Sequence, residues 1–170
     1  MNGRGEWTRV FDVAGFIAMV VGAVDPLEGS VLIVLGSGLV ALGAFLSHDK
    51  RSLVTYRTVV FILIAAGVAA LWGMSAVGGF GGASGRSMLW GVLLLPYAAG
   101  WVMAVWGPGS PRWYSWLALA VGLWYLAIPT MMFLRGMERQ GPGSAAPLVL
   151  GAVGIVTIAG CAVRLKKPPA

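Results

Sequence analysis

The sequence predicts an all-α fold: a polytopic integral membrane protein, a compact bundle of six transmembrane helices with both termini cytoplasmic. Three observations predict it. Hydrophobic residues form 58% of the 170 positions and charged residues only 11%, where a soluble domain carries about 25% charged residues. The apolar residues fall into six runs, approximately 7–24, 30–46, 58–76, 88–106, 113–133 and 145–163. At ~1.5 Å rise per residue, even the shortest is just long enough for a bilayer core. The connections are short and rich in Gly and Pro, which leaves one domain over 1–170. A soluble helical protein would give its helices a polar face, and these runs lack one.

The first run follows Arg4 and Arg9 and ends in Val21-Gly22-Ala23, a loose fit to a signal-peptidase site. Glu6 and Asp12 dilute the positive segment that such a peptide needs, so a retained first helix is expected. Asp12 stands three residues after Arg9, a spacing that pairs them on one helix face. Placed deeper, Asp12 becomes a candidate functional group.

Asp25-Pro26-Leu27-Glu28 opens the second run. Asp25 at the N-cap, Pro26 at the first helical position and Glu28 two residues on form a capping box. The competing reading is an external cation site or an acid/base pair built from Asp25 and Glu28. At the other end stand His48, Asp49, Lys50 and Arg51, whose basic groups suit the negative end of the helix dipole. One His beside one carboxylate offers too few ligands for a metal or haem. His48 titrates near neutrality, so with Asp49 it is a candidate for proton exchange at that boundary.

Between the third and fourth runs, Gly82-Ala83-Ser84-Gly85 resembles the GxSG serine motif of rhomboid intramembrane proteases. The resemblance implies a nucleophilic Ser84 and a histidine base in the sixth helix. The run 145–163 contains no His, and a serine hydroxyl unaided is a poor nucleophile. Ser84 is therefore read as part of a glycine-rich connection. Pro96, beside Tyr97 in mid-run, and Pro129 late in the fifth run are expected to kink their helices. Such kinks serve packing or open a cavity, which makes Tyr97 a candidate lining residue. Ser110-Pro111 repeats the capping device before the fifth run. Ala14-Ala18-Gly22 and Ala65-Ala69-Gly73 are small-residue stripes suited to close helix contact.

Trp106, Trp113 and Trp116 cluster at one boundary and Trp72 and Trp90 at the other, as interfacial belts do. Trp124 and Tyr125 fall near mid-helix, where their polar hydrogens need partners. Of the twelve Lys and Arg residues, nine (4, 9, 50, 51, 57, 112, 164, 166 and 167) fall on one side and three (86, 135 and 139) on the other. That asymmetry puts both termini in the cytoplasm of a multi-pass cell-membrane protein, an inner-membrane protein in a bacterial setting.

The absences narrow function further. No charged residue or His lies in the central part of any run, where ion-coupled transporters place such groups. Walker, zinc and haem-pair motifs are missing, so no cofactor is expected. Cys161 is the single cysteine, which leaves no intrachain disulfide. The net charge of +6 is spread along helix ends, which suits membrane topology rather than nucleic acid. The expectation is a non-enzymatic structural or accessory protein whose partners are the lipid bilayer and a homo-oligomer or larger membrane complex. The alternative is a channel or uncoupled carrier for a small neutral or apolar solute, and the third reading is an intramembrane enzyme.

Overall fold

A computed structural model describes residues 3–25, 28–47, 50–78, 92–134 and 146–166. Those residues form six helices: α1 (Gly3–Val24), α2 (Ser30–Leu46), α3 (Arg51–Ala76), α4 (Leu95–Trp106), α5 (Arg112–Leu134) and α6 (Ala146–Lys166). There is no strand among them. Three helical segments are long and apolar enough to cross a membrane: Trp7–Val24, Arg51–Ala76 and Val149–Lys166.

The helices pair as α1 with α2, α3 with α4 and α5 with α6, and further contacts join α2 to α3, α4 to α6 and α1 to α5. Neighbours therefore follow one another around a ring in the order α1, α2, α3, α4, α6, α5. Short connections lead one to expect that sequence neighbours always pack together. α4 and α5 depart from this and touch only slightly. The reason is local: Gly160 leaves α6 without a side chain where the Trp106 indole of α4 lies, so α4 settles on α6 instead.

Glycines set the spacing inside each of the three pairs, with Gly67 and Gly100 doing so between α3 and α4. A Cβ on Gly15 would come within 2.6 Å of the Gly36 carbonyl oxygen, and one on Gly36 within 2.5 Å of the Gly15 oxygen. α1 and α2 thus meet backbone to backbone. The Gly122 and Gly154 carbonyls play the same part between α5 and α6. Ala14 of the expected first stripe is exposed instead. The contact face turns one residue further, along Gly15 and Gly22. Gly15, Gly22, Gly29, Gly36 and Gly43 recur every seven residues, the period at which a helix returns the same face to its neighbour. Phe16, Met19, Ile33, Ile64, Trp101, Val105 and Tyr114 fill the interior.

Three sequence expectations change. α2 begins at Ser30 with Gly29 as its N-cap and no side-chain cap. Asp25 caps a separate turn instead: its Oδ1 accepts the Glu28 N–H at 3.2 Å and its carbonyl accepts the Gly29 N–H at 2.8 Å. Glu28 is exposed in that turn and does not occupy the first turn of α2. Pro96 lies in the opening turn of α4, after a 3₁₀ turn over 92–94, so it starts a helix rather than kinking one. A proline there lacks only an N–H that would have no intrahelical partner. α3 begins seven residues before the expected 58, at Arg51, which takes Arg57 out of the connection and into the helix. α5 runs on through Pro129.

Candidate functional site

The alternation of helix directions brings the starts of α1, α3 and α5 to one end with the finishes of α2, α4 and α6. Every Lys and Arg of the described segments lies at this basic end. Asp25 and Glu28 lie at the other.

At the basic end Arg57 is buried, at 6% exposure. Its Nη1 donates to Asp12 Oδ1 at 2.7 Å and to the Val40 carbonyl at 3.3 Å. Its Nη2 donates to the Gly109 carbonyl at 3.1 Å. One guanidinium therefore ties α1, α2 and the α4–α5 connection to α3. The Phe16 ring lies 6.0 Å from its Cζ, at the outer range of a cation–π contact. Asp12 has room because its neighbour on α2 is Gly43, where a Cβ would stand 2.9 Å from Oδ1. Gly109 has φ +77°, a backbone conformation that glycine adopts without strain, and a Cβ there would press on Arg57 Nη2. Burying an arginine is tolerable only when it is paired and its donors are used. Here a carboxylate and two carbonyls do that.

The last carbonyls of α4 are held with equal economy. A helix leaves its final four C=O groups without intrahelical partners. Tyr56 Oη donates to Met103 O at 2.7 Å, Ser110 Oγ to Ala104 O at 2.8 Å and Arg164 Nη1 to Val105 O at 3.1 Å. Each side chain comes from a different part of the chain. Ser110 was expected to cap α5, but its hydroxyl turns back to α4. Arg112 Nη2 donates to the Leu165 carbonyl at the close of α6, at 3.0 Å.

A cavity of about 20 Å³ opens beneath this cap, lined by Ser37, Tyr56, Arg57, Ser110, Phe16 and Val60 among others. That space suits one water molecule with polar neighbours. The Ser37 hydroxyl donates to Val34 O at 2.9 Å and keeps its lone pairs for the cavity.

The opposite end is closed by α5. Tyr125 Oη donates to Ala23 O at 2.7 Å and Trp124 Nε1 to Val24 O at 3.1 Å, so both cap the C-terminus of α1. The Tyr97 backbone packs against Gly67 of α3. Trp72 Nε1 donates to Ser30 Oγ at 3.0 Å, and Trp101 Nε1 to the buried Thr157 Oγ1 at 3.2 Å.

The structure does not gather the sequence candidates into one place. Asp12 belongs to the basic cluster and is bridged to Arg57, on another helix, where spacing pointed to Arg9. Asp25 and Glu28 sit at the other end, and Tyr97 of α4 packs against Gly67 of α3. Pro26, His48, Asp49 and Ser84 lie outside the described residues, as does the Pro129 side chain. No group of three His, Cys, Asp or Glu able to hold a metal occurs among the described residues. Sequence reasoning missed Arg57, Tyr56, Ser110 and Arg164 as a set. The available signal was Arg57 itself, a charge six residues into a helix that opens at Arg51.

Comparison with protein-family models, with curated proteins and with solved structures gives no match to this chain.

Proposed function

We propose that this is a small non-enzymatic protein of the cell membrane with a structural or accessory role, built of six membrane-crossing helices with both termini cytoplasmic. The observation that carries this reading is how the polar side chains are used. Arg57 is committed to Asp12 and two carbonyls, and Tyr56, Ser110 and Arg164 are committed to the end of α4. Groups spent on closing helix ends stabilise a scaffold, because an unsatisfied carbonyl in lipid costs several kcal/mol. Around this interior the surface is aliphatic and aromatic, with Ile62, Leu35, Leu123 and Ile155 all more than half exposed. Such a surface suits lipid or neighbouring helices. The nine-to-three distribution of Lys and Arg supports the orientation.

One observation favours a second reading. The cavity beside Arg57 has hydroxyl neighbours, as a path for a small neutral solute would. Proteoliposomes separate the two. A scaffold leaves glycerol and urea flux at the level of protein-free vesicles, whereas flux that rises with protein content and falls in Ser37→Leu identifies a channel or carrier. A serine-directed fluorophosphonate tests the third reading, and labelling abolished by Ser84→Ala would make the protein an enzyme.

A further inference from the structure

Three cations crowd the junction of α5 and α6. Arg112 stands at the first turn of α5, and its guanidinium reaches the carbonyl of Leu165, the residue between Arg164 and Lys166. Arg164 turns inward to Val105 O at 3.1 Å and Ser110 O at 3.5 Å, and Lys166 is exposed. No ion pair neutralises them among the described side chains: Asp12 is engaged by Arg57, while Asp25 and Glu28 are at the far end. The ends of α4 and α6 offset part of this charge, each with about half a negative charge, and the start of α5 adds about half a positive one. The junction keeps a surplus of roughly two and a half positive charges.

Apolar surface adjoins this surplus on the inward side. Trp116 lies one turn along α5 from Arg112, on the same face, and is 59% exposed. Val163 lies one residue before Arg164 and is 58% exposed. A ligand that satisfies both features has an anionic head and a hydrocarbon tail. We infer that the α5–α6 junction is a headgroup site for an anionic phospholipid, with Arg112 and Lys166 holding the phosphate diester and Trp116 and Val163 lying against the acyl chain. Arg112 has donors left after its single bond to Leu165, and a planar guanidinium presents them in pairs that match phosphate oxygens. This inference rests on the membrane reading above and adds a partner to it.

The test uses the full chain in phosphatidylcholine nanodiscs carrying a minority of phosphatidylglycerol, with lipid retention measured by native mass spectrometry. The wild-type protein is expected to retain phosphatidylglycerol over phosphatidylcholine. Arg112→Gln with Lys166→Gln should weaken that retention by at least about fivefold, the effect of one surface charge on an anionic lipid. Lys50→Gln with Arg51→Gln, which removes the same charge from the start of α3, should leave it nearly unchanged. Equal weakening by both pairs would show diffuse attraction to the leaflet and overturn the site. Displacement of the lipid by millimolar inorganic phosphate would overturn the choice of lipid over free phosphate. A chain that does not enter the bilayer, scored separately by flotation, would overturn the membrane reading and the site with it.

Discussion

Arg57 and Asp12, forty-five residues apart, meet at 2.7 Å between Nη1 and Oδ1. The bond is asymmetric in burial, with the arginine side chain 7% exposed and the aspartate 35%. Its loss therefore has different consequences from the two sides. Removing Asp12 strands a buried cation, whereas removing Arg57 leaves a carboxylate that water can reach.

For this reason Asp12→Asn is expected to destabilise the protein by about 2 kcal/mol, and Arg57→Gln with Asp12→Asn to be less damaging than the two single effects added. Thermal unfolding in detergent measures both. Strict additivity would mean that the two groups are not coupled.

Glycine positions should respond with opposite signs. Gly36→Ala forces a methyl against the Gly15 carbonyl, where α1 and α2 meet backbone to backbone. A loss of about 1–3 kcal/mol is expected. A Cβ on Gly73 meets nothing within 4 Å, so Gly73→Ala should gain up to about 1 kcal/mol from helix propensity. Equal midpoint shifts in the two variants would contradict the packing described.

Two buried tyrosines make a second pair of opposites. Tyr125 caps the Ala23 carbonyl, so Tyr125→Phe should cost about 1–2 kcal/mol. Among the described residues the Tyr114 hydroxyl is buried without a hydrogen-bond partner, beside the Phe16 ring, whose centroid is 4.5 Å from that of Tyr114. Tyr114→Phe removes that uncompensated group and is expected to leave stability unchanged or raise it by about 1 kcal/mol. A destabilised Tyr114→Phe variant would reveal a partner for the hydroxyl.

Orientation is open to labelling in a Cys161→Ser background. Glu28 and Ser52 are exposed at opposite ends of the bundle and serve as single-cysteine positions. With both termini cytoplasmic, an impermeant maleimide added to intact cells should modify position 28 and spare position 52. The reverse pattern would invert the proposed topology.

The sequence by itself determined the helical fold class and the bounds of α2 and α5, while α3 begins at Arg51 and α4 at Leu95, away from the expected 58 and 88. Hydrophobic runs bounded by Gly, Pro and charge locate α2 at 30–46 and α5 within a residue at each end, because a backbone kept from water must bond within its own segment. It also marked Trp124 and Tyr125 as side chains in need of polar partners. Only the tertiary structure decided which partners those were. Capping residues for α1 come from α5, and those for α4 come from α3, α6 and the following turn, since helix ends are satisfied by whatever lies nearby in space rather than in sequence. Asp12 shows the difference most plainly. Helical spacing offers it Arg9 at no cost in chain entropy, but Gly43 clears a path to Arg57, whose burial demands an anion more strongly than an exposed Arg9 does.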